Sequence, residues 1–256
     1  MSKNYFYEVN DVENARFELR KRVDPDSKSY TLYKDFTSLF FEGKKLPNGE
    51  DVDIIGIIER KKDGESWWEV KIKVGECKIG LGMDYIGPSI YWAQEAGLEE
   101  REILKFINVS REIGGHLIWP RWIYDGKYRI NPFYSINKYR GGLKGVFDRI
   151  DYTLLYLKLW FEGEDEPFRD VFNANKVWLN KFVDFTGFIQ YYKLDSFVEF
   201  GKETKIKSLS TFNCKNKQYE ELSPESKPYI PNCKEKYEQY IEGCNYIICS
   251  RTCSLT

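Results

Sequence analysis

Histidine is all but absent from this chain: His116 is the only one in 256 residues. Two-histidine zinc hydrolase motifs, paired-histidine ribonuclease mechanisms and iron sites built from two histidines and a carboxylate each need a second imidazole, so a single chain cannot supply them. The sequence also lacks GxxxxGK[ST], GxGxxG after a strand, and GxSxG. Ordinary P-loop, Rossmann and α/β-hydrolase chemistry is therefore unsupported. No uncharged apolar run approaches the ~18 residues of a bilayer-spanning helix, and the opening MSKNYFYEVNDVENARFELRKR has neither an apolar h-region nor a small-residue cleavage site. The expected location is a reducing cytoplasm with no membrane partner, where the six cysteines are thiols or metal ligands rather than bridges. Excess charge is missing too. Lys+Arg 39 against Asp+Glu 40 leaves −1, so only a local basic patch, not the whole surface, could grip a polyanion.

What the chain has in quantity is aromatic side chains: 17% of residues, with Tyr 19, Phe 17 and Trp 7 against two Met. Large rigid rings then fill the interior, and a chain of this length buries a core without disulfides. Asp24-Pro25-Asp26 reads as a turn, and Ser29 as the cap of a helix whose apolar side is Tyr30, Leu32, Tyr33, Phe36, Leu39 and Phe40, ended by Gly43. Residues 52–59 read as a strand. In WWEVKIKVGECKIGLGMD the alternation of Trp68, Val70, Ile72 and Val74, resumed by Cys77, Ile79 and Leu81, predicts a hairpin with one wet face. Helical spacing of Leu98, Ile103, Leu104 and Ile107 precedes Gly114-Gly115 and a strand over 116–121. Asp125-Gly126 turns the chain, and SINKYRGG forms a loop before an almost wholly apolar helix over 146–161. Residues 173–185 and 188–198 read as two further helices. Past Phe200 the sequence turns rich in Lys, Ser and Asn and holds five of the six cysteines, which reads as an appendage. The expected architecture is a single α+β domain, an antiparallel sheet packed by helices, over 1–200, with a small cysteine-containing C-terminal extension over 201–256. Cys249 and Cys253 could face each other on a helix, but no C-x2-C pair marks a zinc site and no cofactor is indicated.

Several spaced motifs occur in order: Asp24-Pro25-Asp26 with Ser29, Thr31 and Leu32; Leu46-Pro47-Asn48-Gly49; Ile113-Gly114-Gly115 with Trp119-Pro120-Arg121; Ser135-Ile136-Asn137 with Arg140-Gly141; Asp148-Arg149 with Asp151, Thr153 and Leu154; and Phe182, Asp184, Phe185, Gly187 and Phe188. In these the chain resembles DUF6994, a bacterial family of unknown function, over roughly residues 24–200. The resemblance implies an architecture and site candidates, not a reaction.

Residues 135–151 carry the best candidate site. Ser135, Asn137, Arg140 and Arg149 supply donors ahead of a helix N-terminus, Arg121 comes from the preceding strand, and the combination suits phosphate or carboxylate. Asp148 and Asp151, at i and i+3, share a helix face as a carboxylate pair for proton transfer or a divalent ion. The structural alternative is that Asp148 caps the helix while Asp151 pairs with Arg140 or Arg121 in the core. Arg111 and His116 have the spacing of a helical ribonuclease pair, but two glycines and a strand intervene, which leaves His116 a satisfied strand histidine. Taken together, the expected protein is an intracellular bacterial one that recognises a phosphate-bearing ligand, a nucleotide or RNA, as a toxin or phage-defence enzyme. Here Asp148 and Asp151 are the catalytic candidates, and Arg121, Ser135, Asn137, Arg140 and Arg149 the ligand-binding ones. Two alternatives stand: a non-enzymatic interaction protein, with a partner encoded by an adjacent gene and the polar loop as a structural network, or a nucleotidyl- or ADP-ribosyl-transferase.

Overall fold

Ser29 starts the first helix as its sequence predicts. Its hydroxyl accepts the Leu32 N–H at 3.3 Å, and α1 (Tyr30–Phe40) buries Leu32, Tyr33, Phe36 and Phe40. The structure, a computed structural model, describes residues 29–62, 64–86, 90–127, 129–130, 149–226 and 231–256. The turn expected at 24–26 lies outside them. Gly43 follows α1 at φ 64°, a left-handed conformation that costs a glycine little.

Five strands follow as an antiparallel meander in sequence order: β1 (Asp53–Lys62), β2 (Glu65–Val74), β3 (Cys77–Tyr85), β4 (His116–Tyr124) and β5 (Arg129–Ile130). The alternation seen in the sequence is realised, with Val70, Ile72, Val74, Ile79, Leu81 and Met83 buried on one face. The Tyr33 hydroxyl accepts the Met83 N–H at 3.2 Å, tying α1 to β3. Between β3 and β4 the register steps from Gly80↔Trp122 to Leu81↔Pro120. Arg121 is the extra residue of that bulge, and its side chain lies across Gly82, where a Cβ would meet the Arg121 Nε at 2.0 Å.

Helices α2 (Ile90–Glu95) and α3 (Glu100–Ser110) come between β3 and β4, and a 3-10 turn, Ile113–Gly115, leads into β4. After β5 come α4 (Ile150–Glu162), α5 (Arg169–Ala174), α6 (Lys176–Leu179) and α7 (Phe185–Tyr191). They are followed by a two-stranded sheet of β6 (Val198–Glu199) and β7 (Lys205–Ile206), then α8 (Lys234–Leu255). The fold is a single α+β domain with an antiparallel sheet packed by helices.

Two expectations change. The long helices read over 173–185 and 188–198 are short pieces, because Val183 adopts φ 71° and Asp184 caps a new helix by accepting the Gly187 N–H at 2.7 Å. Gly187 lies inside α7, where a Cβ would meet the Phe182 carbonyl oxygen at 2.2 Å. The segment after Phe200 is also more than an appendage. Ile206, Leu209, Leu222, Tyr237, Tyr240, Cys244, Ile247 and Ile248 belong to the same buried cluster as the sheet and α1. Arg251, 1% exposed, donates to the carbonyls of Lys193 (3.1 Å), Gly114 (3.0 Å), Tyr192 (2.9 Å) and His116. The Gly114-Gly115 pair has its reason here: a Cβ on Gly114 would meet the Ile248 carbonyl oxygen at 2.2 Å, so α8 packs directly on that turn.

Glu166, between α4 and α5, introduces a pH dependence. Burial pushes its carboxyl up to about 7, even though Oε2 accepts the Phe168 N–H at 2.5 Å. The folded chain thus holds this proton more tightly than an unfolded one, whose glutamate titrates near 4.3. The favourable contribution is full below about 4.3, declines as pH rises towards about 7, and is gone above that. Glu166→Gln keeps an acceptor and removes the titration. It should stabilise the protein on the order of 1–2 kcal/mol at pH ~8 and flatten the melting profile between pH ~4.5 and ~7. Superimposable profiles for the two proteins would refute this.

Candidate functional site

The start of α4 places two of the sequence candidates side by side. Arg149 occupies the N-cap position and Asp151 the first turn. The guanidinium grips the carboxylate in bidentate fashion, Nε to Oδ1 at 3.0 Å and Nη2 to Oδ2 at 2.7 Å, with Asp151 0% and Arg149 3% exposed. Oδ2 also accepts the Leu209 N–H at 3.1 Å. Two rings enclose the cation, Tyr152 at 4.9 Å and Tyr240 at 4.5 Å. Burial alone would draw the Arg149 pKa down, but the charge and hydrogen bonds of Asp151 outweigh it and hold the guanidinium above its ordinary range. Beside them the Cys244 thiol is buried, which pushes its pKa up and keeps it a thiol rather than a nucleophile.

The other sequence candidates fall elsewhere. Ser135, Asn137, Arg140 and Asp148 lie outside the described residues. Arg121 sits half-buried on the sheet, and Asp151 takes its hydrogen bonds from Arg149 and Leu209 rather than from Arg121. With both oxygens engaged and no exposure, Asp151 has the geometry of the structural alternative, with Arg149 as its partner among the described residues where Arg121 was one of those expected. His116 is buried, with Nδ1 2.9 Å from the Glu112 carbonyl. Arg111 ends α3 while His116 begins β4, so the two never share a helix.

Next to the ion pair opens a cleft of about 400 Å³. Tyr152 of α4 forms part of its wall, with its hydroxyl donating to the Ser226 carbonyl at 2.7 Å. The turn that carries Leu209 contributes Ser208, Ser210 and Thr211, and the first two turns of α8 contribute Lys236 and Gln239. Glu220 supplies a carboxylate. The turn is held rigidly: Ser208 N–H donates to the Glu220 carbonyl at 2.9 Å, and Thr211 Oγ1 accepts the Glu220 N–H at 3.0 Å. Gly243 lets α8 approach, because a Cβ there would meet the Leu209 carbonyl oxygen at 2.5 Å. In contrast to this bonded backbone, the hydroxyls of Ser208 and Ser210, the Gln239 amide, the Lys236 ammonium and the Glu220 carboxylate hold no hydrogen bond or ion pair among the described residues.

Sequence reading missed this cleft because all but Tyr152 of its lining comes from the region set aside as a tail. The available signal was the run KSLST followed by a helix with apolar positions at 237, 240, 241, 244, 247 and 248. Among the described residues no helix is long and apolar enough to cross a membrane, and no group of three or more His, Cys, Asp or Glu could hold a metal ion.

No curated protein and no solved structure matches the chain. A family profile does match, over residues 10–255, and so takes in α8 and the cleft along with the motifs of the sheet and α4. The chain belongs to DUF6994, a family of unknown function.

Proposed function

We propose that this protein recognises a small phosphate-bearing ligand, a nucleotide, in the cleft between the 208–211 turn and α8. The observation that carries this reading is the set of uncommitted polar side chains there, on a backbone whose own hydrogen bonds are made. Lys236 offers a cation and the serine hydroxyls offer donors to phosphate oxygens, beside the first turns of a 22-residue helix whose N-terminal dipole favours an anion. Glu220 and Gln239 suit the hydroxyls or amino group of the remainder of a nucleotide. About 400 Å³ falls within the range of small-molecule sites. Of the stretch 135–151, Arg149 and Asp151 enter this reading as the support beside the cleft. Six free cysteines suit the reducing, cytoplasmic setting of this reading.

Thermal denaturation with a panel of mono- and dinucleotides tests it. A ligand at a hundred times its dissociation constant should add about 2.7 kcal/mol, and Lys236→Ala with Ser210→Ala should abolish the gain while melting within about 1 kcal/mol of the parent. Absence of any shift, or a shift unaltered in the variant, would remove the cleft from consideration. Incubation of the bound nucleotide followed by chromatography separates the roles: an intact ligand means a binding protein, whereas turnover means the transferase, toxin or phage-defence enzyme reading.

A further inference from the structure

We propose that the polar face of the sheet binds single-stranded nucleic acid. On that face the register sets Lys73 of β2 directly opposite Lys78 of β3, and Lys78 opposite Tyr124 of β4, in one row across three strands. Lys71, two residues along β2, faces Gly80 and reaches over the Trp122 ring at 5.6 Å. Farther along, Arg60 of β1 is opposite Trp67. Like charges directly opposed across a ladder oppose sheet formation, so the Lys73–Lys78 pair works against the fold unless an anion takes it up.

The nearby acids do not take it up. Glu69 is occupied by Arg60 at 3.0 Å and Trp122 at 2.9 Å. Asp53 is in register with Lys73, yet no ion pair joins them, and Glu76 and Asp125 lie in the turns beyond the row. Lys71, Lys73 and Lys78 form no salt bridge among the described residues. Tyr124, 39% exposed, puts an aromatic surface at the end of the row.

Together these features fit a strand of phosphates with unpaired bases. Residues two apart on a β-strand are roughly 6.6 Å apart along it, which lets Lys71 and Lys73 reach successive phosphates of an extended chain while a base stacks on Tyr124. A flat sheet face offers nothing to enter the major groove of a duplex. The row also lacks the large apolar side chains with which a peripheral element enters a membrane interface. None of these residues lines the cleft, so this inference does not depend on the nucleotide reading.

Fluorescence anisotropy of labelled oligo-U and oligo-dT of about twelve nucleotides, against a duplex of the same length, tests it. Vesicles of about one-third phosphatidylserine supply the membrane control. Binding to single strands should weaken with salt at a log–log slope of roughly −2, at about −0.7 for each of three lysines. Lys73→Ala with Lys78→Ala should reduce affinity at least roughly tenfold and lower that slope by about 1.4 units, without lowering the melting temperature, because it removes a like-charge pair. Tyr124→Ala should weaken binding at an unchanged slope, and Lys71→Ala alone gives a second reading should the double variant fold poorly. No single-strand binding, binding indifferent to these changes, or tighter attachment to duplex or vesicles would each overturn the proposal.

Discussion

A chain ending at Phe200 should show no cooperative melt and should bind dyes that report exposed apolar surface. Truncation removes Tyr237, Tyr240, Ile241, Cys244, Ile247, Ile248 and Leu255, all buried on α8. A buried large apolar side chain contributes about 1.5–3 kcal/mol, so this loss is on the order of 10 kcal/mol, comparable to the whole stability of a typical domain at about 5–15 kcal/mol. Truncation also strips the carbonyls of Gly114, His116, Tyr192 and Lys193 of their shared donor, Arg251. Burial draws that guanidinium down to about 9, so it is still charged at neutral pH, and its compensation is those four carbonyls. Arg251→Ala alone should therefore cost several kcal/mol, because a buried carbonyl left without its donor costs about 1–3 kcal/mol. A truncated protein that melts cooperatively within a few degrees of the full chain would show that α8 is dispensable.

The first half of the fold was legible because local rules governed it. Ser29 caps α1, the alternation from Trp68 to Leu81 became β2 and β3, and the Gly114-Gly115 pair lies in the turn between α3 and β4. α8 was not legible from composition, since KEKYEQYIEGCNYIICSRTCSL looks polar as a whole. Only its spacing shows a buried stripe, and one member of the stripe is an arginine whose partners lie some 58 to 137 residues away in sequence. No local pattern announces such a contact. The same holds for Gly243, whose value appears only once the 208–211 turn rests on it.

The candidate site was legible in its charges and not in their use. Arg149 and Asp151 were both candidates, but the sequence set Asp151 beside Asp148, or against Arg140 or Arg121, and a carboxylate looks alike in sequence whether it faces a substrate or the core. What decides here is the Leu209 N–H, 58 residues on, together with the two tyrosine rings that close over the cation. The uncommitted hydroxyls of Ser208 and Ser210 carry no motif. They become a candidate only when α4, the 208–211 turn and α8 come together around the cleft.

Asp151→Ala should destabilise the protein by on the order of 3–5 kcal/mol, because it leaves the buried Arg149 charge, packed against the Tyr152 and Tyr240 rings, without its carboxylate. Arg149→Met should cost a similar amount, since it strands the carboxylate with the Leu209 N–H alone. The double change Arg149→Met with Asp151→Leu removes both charges and restores apolar volume, so it should recover much of either loss; swapping a buried pair for packed hydrophobes is often close to neutral. Such non-additivity, measured by denaturant unfolding of the four proteins, is the signature of a direct pair. The cycle also discriminates between roles when nucleotide is added. If the pair only supports the cleft, the double variant should regain both its stability and the ligand-induced shift. If Asp151 acts on the ligand itself, the double variant should fold and melt near the parent yet show no response to ligand.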